Sequence, residues 1–522
     1  MTLKKEQIPY LILGFCGLFT IVMGIFIFLY PPGIFPDPSW GFQVMRSMEH
    51  GGPFNYLVGP SQDDLMKNTP QFLTWWSPGQ YLAPYLFKSL LNLNTGQAAA
   101  LTTTFCQLTG LCGLFVFFRR IGFSLLISSV SLLLIVTQEF YNIPFVFYNG
   151  GEILVFAFAG WYLYGCTTIK NNGFYLLIYV FLAGLIGFFC KSSLMWVYAA
   201  GLAYLWIRLS DQKAWIYWLK NGVVIGLPAI LALFCISHFF LSKGANPASA
   251  SEGIRITWTV FTFPLSAPLL SGFSIDELFR GLIFHQDKPL VGPAASFIIL
   301  ILLAILSLLL VIGIIKTAVP DHYKMLVIVF YAVAFLFFSF VFLKQSTISY
   351  EGRHLRVLGL VIIPGAVCFF AKQKRVFITL LMISWLGISL NSVLYLGNGY
   401  IFNKIHGVRG NTGLAQEFID QPSLNAVIKL DNQYNNAIFA FISPDLGLEI
   451  QHNRIITLAP IGNDLQLDYD EFLHDGHAGP IFIVLPKSYA GTKAEIVFKC
   501  FPGYKNFFAK DLSTAYTLYS AF

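Results

Sequence analysis

The chain has 522 residues, 56% of them hydrophobic and only 11% charged, with 52 phenylalanines and a mean hydropathy of +0.66. A soluble protein needs far more surface charge, so these values exclude a soluble globular fold and define a polytopic membrane protein. The formal net charge of +7 is uneven: residues 1–397 hold 24 Lys/Arg against 14 Asp/Glu, and 398–522 hold 9 against 12. The basic excess is therefore topological and calls for no nucleic-acid partner.

In chain order, Lys4 and Lys5 precede a run of roughly 20 apolar residues with no small-residue cleavage site, so the sequence predicts a retained first helix near 10–30. Further spans are predicted near 97–118, 122–141, 150–168, 174–190, 194–208, 222–241, 292–315, 325–343, 355–371 and 376–397. With the N-terminus cytoplasmic, Arg119, Arg120, Lys170, Arg208, Lys213, Lys220, Lys316, Lys324, Lys372, Lys374 and Arg375 all fall on the cytoplasmic side. That assignment puts an odd number of spans, about eleven, in the plasma (inner) membrane and the C-terminal tail outside. It also puts eleven of the fourteen acids of residues 1–397 on the outer side.

Two long outer loops follow from this topology, 31–95 and 242–291. In the first, Asp37-Pro38 reads as a helix start with Asp37 as its cap. Trp40, Val44, Met45 and Met48 form an apolar stripe, with Gln43, Arg46, Glu49 and His50 largely off it. Ser77-Pro78 heads a second amphipathic run to about Leu91, and both read as helices lying in the membrane interface. "FSIDELFRGLIFHQ" in the second loop reads as another short interfacial helix. The reading divides the chain into a membrane module, 1–400, and an extracytoplasmic α/β domain, 401–522. In the tail, "NAIFAFIS", "RIITLAP", "GPIFIVLP" and "AEIVFKCF" are strand-like runs. The eight cysteines show neither metal-ligand spacing nor a disulfide framework.

Ionisable residues at helix ends in so apolar a chain are functional candidates. On the outer side these are Asp37, Glu139, Glu152 in "FYNGGEILVFAF", Lys191 in "FFCKSSLMW", and Arg353 in "SYEGRHLRVLGLVIIPG". Each also has a structural reading. Asp37 is a helix cap, a role compatible with chemistry because a helix N-terminus keeps a carboxylate ionised. Glu139 sits at the water boundary beside Tyr141. Lys191 and Arg353 could reach to lipid headgroups. His50 and His354 have no partners at metal-ligand spacing, and Trp75-Trp76 suits interfacial anchoring.

Taken together, "FPDPSWGFQVMRSMEHGGPFN", "WWSPGQYLAPYLF", Glu152, "CKSS" and "GRHLRVLGLVIIP" resemble, in order, the motifs of the GT-C membrane glycosyltransferases. The likeness is to the protein O-mannosyltransferase and aminoarabinose-transferase branch, which uses polyprenyl-phosphate-linked sugars. The resemblance implies a catalytic acid at Asp37, a second acid at Glu152, and a lipid-phosphate site at Lys191 and Arg353. Arg46, Glu139 and His354 are candidates for lining the acceptor cavity. Pro38 stands where the family often has a second acid. That departure argues against a metal, although a divalent ion stays open as a cofactor, and "CKSS" lacks the family's usual glycine.

The expected reaction is transfer of a sugar, with inversion, from a polyprenyl-phosphate donor to a glycan, lipid or protein hydroxyl at the outer face. Asp37 is the expected base, with Glu152 orienting its neighbours or the acceptor, and the two cations act on the leaving phosphate. The rival is a transporter or flippase of lipid-linked saccharides, which would place charge near mid-span rather than at one face.

Overall fold

The computed structural model describes residues 6–170, 173–211, 214–244, 251, 253–285, 289–317, 319–467 and 469–522; Lys4, Lys5 and Lys213 lie outside them. Helix α1 (Ile8–Leu29) leads through strand β1 (Gly33–Ile34) to α2 (Pro36–Glu49), hairpin β2 (Tyr56–Pro60)/β3 (Asn68–Phe72) and α3 (Gly79–Leu91). Next come α4 (Thr95–Arg120), α5 (Leu125–Val136), α6 (Glu139–Val146), β4 (Phe147–Tyr148) and α7 (Gly151–Thr168). They are followed by α8 (Gly173–Cys190), α9 (Met195–Ser210), α10 (Trp215–Phe239), α11 (Trp258–Gly272) and α12 (Ile275–Leu278). The helical part closes with α13 (Pro293–Lys316), α14 (Asp321–Leu343), α15 (Arg356–Phe370) and α16 (Arg375–Ile405). The tail adds α17 (Gln421–Gln433), β5 (Ile438–Phe441), β6 (Arg454–Thr457), α18 (Tyr469–Phe472), β7 (Ile481–Pro486), α19 (Thr492–Lys499), β8 (Phe508–Asp511) and β9 (Tyr516–Ala521).

All eleven apolar runs are helical. Among the described residues, eight helices are long and apolar enough to cross a membrane, and α5 with α6, bent by 48°, makes a ninth as a pair. Pro144 lies inside α6, where it cannot donate the usual backbone hydrogen bond. Helix α9 has 16 residues, about 24 Å at 1.5 Å each, short of a hydrocarbon core of about 30 Å. The region 242–291 differs from the expectation of a loop with one interfacial helix. It contains the 15-residue α11, whose Phe263, Ala267 and Leu270 are fully buried, while "FSIDELFRGLIFHQ" supplies only the four-residue α12.

The chain forms two compact units. The first comprises residues 1–25, 103–145 and 151–399; the second comprises 26–102, 146–150 and 400–522. Residues 31–95 therefore fall in the unit that holds the tail.

In the first unit, α15 is the most enclosed element, with Val357, Leu358, Leu360, Val361, Ile362 and Ile363 all buried. Helices α11 and α15 cross at Gly272 and Gly359. A Cβ on Gly359 would come within 2.7 Å of the Gly272 Cα, so only glycine permits this approach. Small residues drive such crossings in membranes, where burying apolar surface from lipid yields little.

In the second unit, the tail sheet runs β6-β5-β7-β9-β8. The first three strands are parallel, and β9 is antiparallel to both β7 and β8. Strands β5 and β7 are buried on both faces and so read as unbroken apolar runs. Ile438 and Ala440 join Ile481, Ile483 and Val497 of α19 on one side. Phe439 and Phe441 join Leu424 and Val427 of α17 on the other. "AEIVFKCF", expected as a strand, is α19. A short apolar run does not distinguish the two by periodicity, and here Ala494, Ile496 and Val497 give one buried helical face.

Helix α2 is locked onto this domain. Arg46 donates from Nε to Ile450 O (2.6 Å) and from Nη2 to Asn453 O (2.7 Å); Gln43 Nε2 donates to Pro444 O (2.6 Å). Opposite Arg46, the buried Asp431 carboxylate accepts the backbone N–H groups of Gln451 (2.7 Å) and Asn453 (3.1 Å). Of the expected polar face, Gln43 and Arg46 are therefore buried in protein, while Glu49 and His50 at the end of the helix stay exposed.

Candidate functional site

In the first unit, three of the residues singled out from the sequence converge on one carboxylate. Glu152 stands in the first turn of α7, where a negative charge is favoured by the helix dipole. Its Oε1 accepts from Lys191 Nζ at 2.5 Å and from Arg353 Nη1 at 3.4 Å. The side chains of Glu152, Lys191 and Arg353 are 20%, 21% and 28% exposed, so the group is sheltered but reachable.

Local backbone explains the convergence. Helix α8 ends at Cys190; Lys191 is extended, with φ −165° and ψ 129°, and a single 3₁₀ turn, Ser192–Leu194, leads into α9. Gly151 packs against that turn: a Cβ there would lie 2.9 Å from Cys190 O and 3.3 Å from Lys191 Cβ. The start of α7 is thereby pressed onto the α8–α9 turn, and Glu152 meets Lys191.

Arg353 comes from another 3₁₀ turn, Gly352–Leu355, which opens α15. Its Nη2 donates to Glu351 Oε2 at 2.9 Å, so the guanidinium bridges two carboxylates. Glu351 also accepts from Ser349 Oγ. The turn is held from α12: Asp276 Oδ2 accepts the Gly352 N–H at 2.6 Å, and Asp276 Oδ1 accepts Leu282 N–H at 3.3 Å. Burial pushes the Asp276 carboxyl up to about 7, helped by neighbouring Glu277 and opposed by these two donors and by Arg356. Arg356, one turn further on, pairs with Glu277, donates to Ser271 O at 2.5 Å, and lies 4.0 Å from the Phe140 ring centroid.

The other candidates are placed as follows. His354 is turned into the protein: Trp196 Nε1 donates to its carbonyl (3.2 Å), and its Nε2 lies 3.4 Å from Ser349 Oγ. Glu139 accepts from Asn391 Nδ2 at 2.8 Å. Both thus have structural partners. Arg46 is in the second unit, where its guanidinium joins α2 to the tail domain. Asp37 lies in the first turn of α2, but the N-cap is Phe35, so Asp37 follows the cap instead of forming it. Glu351 and Asp276 were given no role from the sequence. The acid two residues before Arg353 in "SYEGRHLR" was the available signal for Glu351.

Among the described residues no group of three or more His, Cys, Asp or Glu side chains is arranged to hold a metal ion. Chemically, the cluster offers two cations whose present partners are carboxylates. A phosphate oxyanion can take the same hydrogen bonds, with Arg353 able to engage it through two N–H groups.

No protein-family model matches the sequence, and none of the curated proteins matches it. Solved structures do match. The apo structure of ArnT from Cupriavidus metallidurans aligns over 97% of this chain and 98% of its own, at 12% identity and a TM-score of 0.50. The same protein bound to undecaprenyl phosphate aligns over 97% of both chains, at 13% identity and 0.50. The apo oligosaccharyltransferase of Archaeoglobus fulgidus aligns over 98% of this chain and 74% of its own, at 11% identity and 0.52. At such identities the likeness is one of fold, and the chain has the GT-C membrane fold that its motifs resemble.

Proposed function

We propose that the protein transfers a sugar from a polyprenyl-phosphate-linked donor to an acceptor hydroxyl at the outer face of the membrane, with inversion. The observation that carries this reading is the sharing of Glu152 by Lys191 and Arg353, two cations held ready at helix ends. One of the proteins of the same fold has been solved with undecaprenyl phosphate bound, which supports a lipid-phosphate ligand for those cations.

The acceptor oxygen attacks the anomeric carbon as the bond to the phosphate oxygen breaks, and the electron pair leaves with the polyprenyl phosphate. Lys191 and Arg353 stabilise the charge that grows on that phosphate, an effect worth about 10²–10³ in rate for a single well-placed donor. Glu152 and Glu351 keep the cations positioned before the donor arrives. Asp37, which lies in the second unit, is the proposed base for the acceptor proton.

The test is Asp37→Asn in purified protein. The substituted protein should still bind a short-chain polyprenyl phosphate while losing transfer from the corresponding lipid-linked sugar. Unchanged transfer would remove Asp37 as base, and protein-dependent movement of the lipid-linked sugar across a bilayer without transfer would favour a flippase.

A further inference from the structure

A cavity in the first unit shares no lining residue with the Glu152 cluster, although Tyr350 directly precedes Glu351. The cavity, of about 480 Å³, is lined by Arg255, Thr257, Thr259, Phe342, Gln345 and Tyr350, among others, and among the described residues Arg255 is the one charged residue in its lining. Its volume falls within the roughly 300–1,000 Å³ usual for small-molecule sites. The Tyr350 ring stacks on Phe342 with centroids 3.9 Å apart and planes 16° from parallel, giving an aromatic wall opposite hydroxyl groups.

The segment that carries Arg255 is extended and two-sided. Arg255 and Thr257 of this extended stretch line the cavity, joined by Thr259 and Val260 in the first turn of α11. The alternate residues Ile254 and Ile256 are 79% and 76% exposed, and Trp258, where α11 begins, is 70% exposed. Over residues 254–257 this is the period of two that separates the faces of an extended chain. The segment is tied down by the Arg255 N–H donating to Leu343 O at 2.9 Å and by Ser251 Oγ donating to Lys344 O at 2.7 Å. One short stretch thus presents a cation and hydroxyls on one side and bare apolar side chains, ending in a tryptophan, on the other. Such a pairing matches the boundary of a bilayer, where a headgroup meets its chains.

We infer that this cavity binds the anionic head of a membrane lipid, with Arg255 on the head's phosphate and the chains lying along Ile254, Ile256 and Trp258. The Thr257 and Thr259 hydroxyls, themselves 2.7 Å apart, and the Tyr350 wall suit a head that carries hydroxyl groups. The inference needs only the membrane fold and does not rest on the proposed glycosyl transfer.

The experiment is native mass spectrometry of the purified protein titrated with phosphatidylglycerol, phosphatidylcholine or glycerol 3-phosphate. Wild type should retain one phosphatidylglycerol at a concentration at least about tenfold below that needed for phosphatidylcholine, a difference of about 1.4 kcal/mol. Arg255→Gln should abolish that preference and Arg255→Lys should keep most of it, with thermal stability unchanged because Arg255 is exposed. Replacing Ile254 and Ile256 together by serine should weaken both lipids alike. The inference is overturned if wild type shows no preference or if Arg255→Gln keeps it. It is also overturned if glycerol 3-phosphate competes as well as the lipid, which would mark a site for soluble anions.

Discussion

Lys191 and Glu152 meet at 2.5 Å although 39 residues and a whole helix, α8, separate them in sequence. The contact follows from two local facts: the abrupt turn after Cys190, and the lack of a side chain at Gly151. Arg353 approaches the same oxygen from a third element, and the three side chains form the electrostatic centre of the membrane unit.

Replacing either cation should impair catalysis more than folding. Lys191→Ala and Arg353→Ala are each expected to lower kcat/KM for the lipid-linked donor by about 10²–10³, the usual size of one lost electrostatic donor. Steady-state assays beside thermal melts check this. A proportional loss of folded protein would assign the cations a structural role instead.

Glu152→Gln should act differently. It removes the charge that competes with a phosphate for Lys191 and Arg353, so affinity for the product polyprenyl phosphate should rise several-fold while turnover falls because release slows. Calorimetry on the lipid phosphate, set against single-turnover and multiple-turnover rates, distinguishes this from a simple loss of binding.

Asp276 supplies a pH dependence. Burial raises its carboxyl to about 7, against an unfolded value near 4. An acid raised on folding contributes stability that is complete below the unfolded value and is lost as pH rises through the folded one. The melting temperature of wild type relative to Asp276→Asn should therefore fall between pH 5 and pH 8. A constant difference across that range would show that Asp276 titrates normally.

Arg46→Ala should destabilise the tail-bearing unit by about 2–4 kcal/mol, since two hydrogen bonds from a buried guanidinium are lost and their carbonyl acceptors are left without them. Burial already draws the Arg46 guanidinium down to about 10, with Asp431 and Glu49 acting in the opposite direction. Limited proteolysis across 400–522 reads the loss. Binding of polyprenyl phosphate should be unaffected.

Much of this architecture was legible because lipid enforces long apolar runs and makes each charge at a helix end conspicuous. Glu152, Lys191 and Arg353 stood out for that reason. Helix α11 did not, because it has only 15 residues and carries Pro264 and Pro268, yet neighbouring helices bury it. The burial of Arg46 was invisible for another reason: its partners, Ile450 and Asn453, lie some 400 residues away, and no local pattern records such a contact. Asp276 was hidden similarly, since its meaning comes from the Gly352 N–H rather than from its own surroundings in sequence.

The central claim is that Lys191 and Arg353 receive a lipid phosphate. Its most direct measurement is calorimetric binding of a short-chain polyprenyl phosphate to wild type, Lys191→Ala and Arg353→Ala, each confirmed folded by thermal melting. Wild type should bind measurably, and both variants should lose at least about tenfold in affinity. Binding that is indifferent to both substitutions, or absent from wild type, would contradict it.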